Sequence, residues 1–131
     1  MFSHIFVSVK DFDRALMFYT EVMIVLGNEA RFYEPEIPWA GWHSNDRSRP
    51  YFVICKPYDG QPHDPGNGQM IALLAKDRKT VEAAYQAALR CGGSSEGLPG
   101  LRPQYHANYY GAYFRDPEGN KLCVACHSPE E

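Results

Sequence analysis

One stretch of the sequence occurs twice, and this internal repeat limits the possible folds more than any other feature. His4–Gly27 reads HIFVSVKDFDRALMFYTEVMIVLG, and a shift of 66 positions aligns it with Met70–Gly93, MIALLAKDRKTVEAAYQAALRCGG. A Lys-Asp pair occurs at the same place in both copies, and a glycine ends each of them. Such self-similarity indicates two modules of about 65 residues each. The alternative is a chance similarity between two unrelated strand–helix units.

Alternation of side chains assigns two faces to the strand that opens the first copy. Ile5, Val7 and Val9 alternate with a second set that begins with His4 and Phe6. Successive residues of a strand point to opposite sides of the sheet. We therefore expect the aliphatic set to pack beneath the following helix. His4 and Phe6 should face a ligand or water.

The same alternation applies to the second copy and to the last strand. In the strand Gln69–Ala75 it turns Met70 away from the second helix. In the closing strand, Lys121–His127, it turns Cys123 and His127 to that same free face. The free faces of both modules should therefore form one concave surface.

The helix of each copy shows clear end signals. Apolar residues recur at three- and four-residue spacing after Asp11 and after Asp77, which predicts two amphipathic helices. Each aspartate is placed to cap the first free N–H groups of its helix. Gly27 should end the first helix in the left-handed conformation, and Gly92-Gly93 should end the second. Within the apolar stripes, we expect Tyr19 and Tyr85 to be core residues.

The remaining elements follow from composition and turn signals. Positions 28–50 are the least regular part, and 94–108 read as a loop. We assign a short strand near Trp39–Trp42, a strand at Tyr51–Lys56, a linker at Pro57–Gly68 and a hairpin of Tyr109–Arg115 with Lys121–His127. The predicted fold is one α+β domain of two β-α-β-β-β modules, at about 1–60 and 67–128, whose two small sheets curl into an open cup.

Composition excludes several classes of protein. The chain has 131 residues and a net charge of −3, which gives no electrostatic footprint for nucleic acid. It contains no apolar run long enough to span a membrane, and the N-terminal residues do not resemble a secretory signal. Its four cysteines are therefore expected to be free thiols. We predict a cytoplasmic protein with a small-molecule partner.

Three pieces of the sequence resemble the vicinal oxygen chelate superfamily, which includes glyoxalase I, extradiol dioxygenases and the fosfomycin- and bleomycin-resistance proteins. They are the opening segment from His4 through Lys10-Asp11 to Phe18-Tyr19, the second copy of the repeat at Met70–Gly93, and the hairpin sequence FRDPEGNKL at 114–122. The resemblance implies paired βαβββ modules, a cup-shaped site and a homodimer.

The resemblance also implies a set of metal-ligand positions on the cup face, of which this chain keeps one. His4 matches the histidine of the first strand, whereas Met70 and Cys123 stand at two other ligand positions. The strand Tyr51–Lys56 offers neither Glu nor His for the fourth. A divalent catalytic metal requires three or more N or O ligands. Two interpretations stay open: His4 binds a divalent metal, or it is a cup-lining imidazole and no cofactor binds.

The segment from Arg102 to Tyr110 concentrates polar and aromatic chemistry. Arg102 can hold a carboxylate or phosphate, and His106 can shuttle a proton near neutral pH. Tyr105 and Tyr109 can contact a substrate. The alternative is that these tyrosines cover a dimer contact.

Other residues have competing interpretations. Cys123 is either a reactive thiol or inert packing, and Cys126 should lie on the opposite face of its strand. Trp39 and Trp42 either stack on a flat ligand or close the rim of the cup. We expect His63 in the linker to be solvated.

Two classes of function follow. The first is an enzyme of the lactoylglutathione-lyase or dioxygenase type, with a metal on His4 and with His106 and Cys123 as catalytic groups. The second is a metal-free protein that binds or sequesters a small aromatic or anionic compound. Either class should use the same concave face, which is lined by His4, Phe6, Met70, Cys123 and His127 and closed by Arg102, Tyr105, His106 and Tyr109.

Overall fold

The computed structural model describes residues 1–130 and confirms the two-module α+β fold. Each module contains one helix and four strands in the order β-α-β-β-β. The first comprises β1 (His4–Ser8), α1 (Phe12–Leu26), β2 (Asn28–Glu34), β3 (Trp39–Ser44) and β4 (Tyr51–Cys55). The second comprises β5 (Ile71–Leu74), α2 (Arg78–Arg90), β6 (Ser94–Leu101), β7 (Tyr110–Arg115) and β8 (Lys121–Cys126).

The two sheets have the same topology. Their strand orders are β1-β4-β3-β2 and β5-β8-β7-β6. In each sheet the first strand of the module pairs in parallel with the last, and the other neighbours are antiparallel. His4 lies opposite Tyr51 in the first sheet, and Ile71 lies opposite Leu122 in the second. The repeat in the sequence is therefore a repeat in the structure.

The predicted helix ends are confirmed. Asp11 Oδ1 accepts a hydrogen bond from the Arg14 N–H at 3.1 Å, and Asp77 Oδ1 accepts one from the Thr80 N–H at 2.8 Å. Gly27 ends α1 with a φ of 78°, a conformation that glycine adopts without steric cost. These signals fix where each helix starts and how the chain leaves it.

The core lies between the helices and the inner faces of the sheets. α1 packs against α2, and Phe18 of α1 meets Phe114 of β7 edge to face, with 6.2 Å between ring centroids. Tyr19 and Tyr85 are 0% and 3% exposed, which confirms their placement in the core. Both modules therefore share one continuous core.

The two tryptophans of β3 have different environments. Trp42 is 4% exposed and packs near Tyr19 in the core, so its expected role at the rim of the cup is wrong. Trp39 lies on the opposite face, where Nε1 donates to Glu34 and the ring lies 5.1 Å from that of Phe32. Residues three apart on a strand must point to opposite faces, which separates this pair.

Two strands, β2 and β6, lie in parts of the chain to which the sequence analysis assigned no strand. The expected loop at 94–108 is wrong over Ser94–Leu101, which pairs antiparallel with β7. The register of β6 shifts on both sides of Gly97, and Pro99 lies within the strand. An outer edge strand tolerates such irregularities because one of its sides needs no ladder of hydrogen bonds.

The hairpin turn at 116–120 joins the two modules. The buried Asp116 carboxylate accepts hydrogen bonds from the Tyr19 hydroxyl (2.6 Å), from the Glu118 and Asn120 N–H groups and from Asn120 Nδ2. Glu118 Oε2 accepts from the Asp11 N–H at 2.8 Å and from Arg14 at 3.2 Å. The turn of the second module thereby holds the start of α1.

Within residues 1–130, no helix has both the length and the apolar character needed to cross a membrane.

Candidate functional site

Two adjoining hollows open on the concave side of the sheets. The first, which we call the inter-sheet hollow, has a volume of about 470 Å³ and lies between the β1–β4 and β5–β8 pairs. The second, the tyrosine hollow, has a volume of about 580 Å³ and lies on the second sheet. Gln69, Met70 and Lys121 line both hollows, so together the two form one candidate site.

The inter-sheet hollow contains Phe6 and Met70, as the alternation of side chains predicted. Phe6 is 55% exposed and Met70 is 41% exposed, while Val7, which follows Phe6 on β1, is buried. His4 lies one pleat before Phe6, with 5.5 Å between the ring centroids, and its Nδ1 is 2.8 Å from Ser3 Oγ. His4 is exposed beside the hollow rather than in its lining.

Three tyrosines line the second hollow. Tyr105, Tyr109 and Tyr113 form its aromatic wall, and the Tyr109 hydroxyl lies 3.0 Å from the Tyr113 hydroxyl. The Tyr109 ring lies across Gly111, where an added Cβ would be only 2.9 Å from the ring. Burial raises the pKa of Tyr109, and its hydrogen bonds with Cys123 and Tyr113 raise the pKa further. The Tyr109 phenol therefore stays neutral and acts as a hydrogen-bonding group.

Cys123 lies beneath Tyr109 and is fully buried. Its Sγ is 3.5 Å from the Tyr109 hydroxyl. Burial raises the pKa of the Cys123 thiol, and hydrogen bonds with Tyr109 and Tyr113 offset only part of that effect. Cys126 lies in the hydrophobic core on the other face of β8, as the alternation of side chains predicted. A protonated thiol without exposure is a poor nucleophile.

His106 and His127 form a pair at the rim of the tyrosine hollow. His106 Nε2 lies 2.9 Å from His127 Nδ1, and the Asn108 N–H donates to His106 Nδ1 at 3.1 Å. A backbone N–H can only donate, so neutral His106 carries its proton on Nε2 and donates it to His127. The Tyr109 ring contacts both imidazoles. The loop is thereby fastened to the end of β8.

Arg102 lies behind the tyrosine wall. Its Nη2 donates to the Leu98 carbonyl at 2.7 Å, and its guanidinium lies 5.4 Å from the centroid of the Tyr113 ring. An added Cβ at Gly97 or Gly100 would lie 3.1 to 3.3 Å from this guanidinium. Arg102 is not among the residues that line either hollow. It supports the wall instead of reaching into the site.

The four positions that the resemblance assigns to metal ligands carry a poor donor set. Phe6 and Ala72 are equivalent positions of the two modules. In the parallel pairs Phe6 lies opposite Val53, and Ala72 lies opposite Cys123. Val53 is therefore the first-module counterpart of Cys123. The four groups are an imidazole, a thioether, a hydrocarbon and a buried thiol. Among residues 1–130, no three His, Cys, Asp or Glu side chains lie close enough together to hold a metal ion. These residues do not fit a divalent metal that prefers N and O ligands.

Two features of the site were missed from the sequence. His63 is half-buried rather than solvated, because its Nδ1 lies 2.7 Å from Ser8 Oγ and its Nε2 lies 3.2 Å from the Glu118 carbonyl. Both partners are 55 residues away in the chain, so no local pattern reveals them. Lys121 was also missed, although it follows the turn motif directly and lines both hollows.

Comparison with known proteins places the chain in a family. The sequence matches the family model of the Glyoxalase/Bleomycin resistance protein/Dioxygenase superfamily over residues 1–124. The fold is similar to that of a glyoxalase/bleomycin resistance protein from Albidiferax ferrireducens, with 31% sequence identity and a TM-score of 0.86. That alignment covers 96% of this chain and 98% of the other. No curated protein matches the sequence significantly.

Two more distant structures share the fold alone. One is a glyoxalase/bleomycin resistance protein/dioxygenase family enzyme from Burkholderia phytofirmans, with 16% identity and a TM-score of 0.71 over 96% of this chain and 98% of that one. The other is a fosfomycin resistance protein from Listeria monocytogenes, with 15% identity and a TM-score of 0.65 over 98% and 93%. The chain belongs to the Glyoxalase/Bleomycin resistance protein/Dioxygenase superfamily.

Proposed function

We propose that this protein binds a small, flat, anionic molecule in the two joined hollows and does so without a divalent metal. The observation that carries the proposal is the position of Lys121, which lies in both hollows. Five aromatic residues form part of the surrounding walls: Phe6, Tyr58, Tyr105, Tyr109 and Tyr113. The positions that would bind a metal offer a single imidazole, that of His4.

Lys121 is the lysine that lines both hollows, whereas Lys56 lines only the inter-sheet hollow. It is half-buried, and its side chain makes no ion pair or hydrogen bond within residues 1–130. Its neighbour Arg115 is already engaged, because it pairs with Glu96 and donates to the Gly119 carbonyl at 2.8 Å. A partly desolvated ammonium group gains from an anionic partner.

The walls favour a flat ligand. Phe6 and Tyr105 expose 55% and 62% of their surface on the concave side. Aromatic faces of this kind stack on planar groups. Each hollow has a volume within the range of about 300–1,000 Å³ that is usual for small-molecule sites.

Ligand titration of metal-free protein tests the proposal. Naphthoate and phenylphosphonate serve as probes, in buffer with a chelator. Removing the charge with Lys121→Met should weaken binding by about 10- to 150-fold, the value of one charged hydrogen bond. Lys79→Met removes an exposed charge on α2, outside the hollows, and should bind as the parent does. Equal binding by Lys121→Met and the parent would place the ligand elsewhere.

The enzyme alternative predicts a different result, which is metal bound to the purified protein. A lyase or dioxygenase of this superfamily that works through His4 should carry one equivalent of metal after purification without an affinity tag. His4→Ala should then lose that metal. We expect no stoichiometric metal in either protein, measured by elemental analysis.

A further inference from the structure

Ser8 and His63 form a hydrogen-bonded nucleophile–base pair at the inter-sheet hollow, and we propose that this pair hydrolyses small carboxylic esters bound there. The inference extends the proposed function, because it uses the same hollow as the place where a ligand binds. It assigns a covalent chemistry to two residues outside the ligand positions that the superfamily implies.

The geometry fixes the direction of the hydrogen bonds. His63 Nε2 lies 3.2 Å from the carbonyl oxygen of Glu118, which can only accept a hydrogen bond. Neutral His63 therefore carries its proton on Nε2, and Nδ1 presents a lone pair. Ser8 Oγ lies 2.7 Å from that Nδ1, so the serine hydroxyl donates to the imidazole. A hydroxyl that donates to a base, with the base oriented by a third group, is the arrangement of an activated serine.

The third group is held rigidly. The Glu118 carbonyl belongs to the turn that the buried Asp116 carboxylate organises by accepting from the Glu118 N–H at 2.8 Å. The same turn reaches Ser8, since Asn120 Nδ2 donates to the Ser8 backbone carbonyl at 3.0 Å. Both members of the pair are therefore positioned by one turn, although they come from β1 and from the linker.

The surroundings suit attack on an ester. Ser8 lines the hollow together with Lys56 and Lys121, whose charges can stabilise an oxyanion, and with Asp64. Cys55 lies opposite Ser8 in the β1–β4 register, but burial raises the pKa of its thiol. The thiol therefore stays protonated, and within residues 1–130 no hydrogen bond joins it to a base, which leaves Ser8 as the activated nucleophile.

The reaction needs no reagent besides water. Ser8 Oγ attacks the ester carbonyl carbon while its proton passes to His63 Nδ1. The bond to the leaving alcohol then breaks, and that alcohol takes the proton from His63. Water attacks the acyl-serine, gives a proton to His63 Nδ1 and releases the carboxylic acid. His63 returns the proton to Ser8 Oγ.

Two measurements on the full chain test the pair. The first is hydrolysis of nitrophenyl acetate, which should fall at least about 100-fold in Ser8→Ala and in His63→Gln, the usual value of general-base catalysis. Ser48→Ala, at an exposed serine away from the hollows, serves as the matched control and should retain the parent rate.

The second measurement is covalent labelling by diisopropyl fluorophosphate, located by peptide mass spectrometry. Ser8 Oγ should form the bond to phosphorus as fluoride leaves, and His63→Gln should not be labelled. This readout uses the parent protein, so it decides the question even if Ser8→Ala does not fold. Absence of label on Ser8, or parent-like hydrolysis by a folded Ser8→Ala, overturns the inference. Naphthoate binding to the parent protein reports separately on the proposed function.

Discussion

Single side chains determine which groups of the concave face are free to react. Tyr109 is the central example, because its hydroxyl meets Tyr113 and Cys123 while its ring touches His127. It therefore covers the thiol that the sequence offered as a candidate nucleophile. Tyr109 also lies between His127 and Cys123 and contacts both of them.

Thiol reactivity tests this arrangement. All four cysteines are free; Cys55 and Cys91 are half-buried, whereas Cys123 and Cys126 are buried. In native protein the fast phase of reaction with Ellman's reagent should come from Cys91, because burial raises the pKa of the Cys55 thiol and slows its reaction. Cys123→Ser should leave the amplitude of that phase unchanged, and Cys91→Ser should reduce it. A fast phase that disappears in Cys123→Ser would contradict the buried position of this thiol.

At the scale of elements, the contact between the 116–120 turn and α1 should depend on pH. Burial acts to raise the pKa of Glu118, but hydrogen bonds from the Asp11 and Lys10 backbone and from Arg14 outweigh it, so the pKa lies below its usual range. A lowered carboxyl pKa in the folded state adds stability above the unfolded-state value, ~4.3 for glutamate, and this contribution is lost as the pH falls through the folded-state value.

Urea unfolding at a series of pH values measures that contribution. The parent should lose stability between pH ~5 and the lower pKa of the folded state, and Glu118→Gln should flatten this part of the profile. Glu36→Gln is the control, because Glu36 is exposed and makes no hydrogen bond or ion pair within residues 1–130. A steep acid limb that persists in Glu118→Gln would show that other carboxylates dominate.

The sequence predicted elements whose signals are local. The apolar spacing of both helices, the caps at Asp11 and Asp77, and the hairpin all depend on residues close together in the chain. The prediction failed at β6, because Pro99 and Gly100 argue for a loop unless the partner strand β7 is known. It failed at His63 for the same reason, since that imidazole is placed by partners 55 residues away.

For the concave surface, too, the sequence predicted local features and missed long-range contacts. Alternation along β1 correctly turned Phe6 to the free face, because the period of a strand is a local property. It gave no indication that Arg102 would fold back onto β6, since that requires the space beside Gly97 and Gly100. The faces of the elements were therefore predictable, whereas the partners across the site were not.

At the scale of the whole molecule, one buried hydrogen bond links the modules. The Tyr19 hydroxyl on α1 donates to Asp116 in the second module at 2.6 Å, and both residues are buried. Tyr19→Phe leaves the carboxylate with one partner fewer and should lower the free energy of unfolding by about 1–3 kcal/mol. Tyr58→Phe removes a fully exposed hydroxyl and should change it by less than about 0.5 kcal/mol in the same urea titration.

Assembly is a second property at this scale. β2 and β6 are the outer strands of the two sheets, and Leu98 and Leu101 on β6 are 71% and 47% exposed. Unpaired strand edges with apolar side chains favour association. We propose a homodimer, which light scattering at micromolar concentration should detect as twice the chain mass of 14.9 kDa. A monomer under those conditions would contradict the proposal.

We propose that this member of the superfamily binds its ligand through Lys121 and aromatic side chains, without a divalent metal. The most direct test is calorimetric titration of naphthoate and phenylphosphonate into protein stripped of metal, repeated after addition of Ni²⁺, Zn²⁺, Mn²⁺ or Fe²⁺. We predict saturable binding with the same affinity in every condition. Binding that occurs only after a metal is added, and that is lost in His4→Ala, would contradict the account.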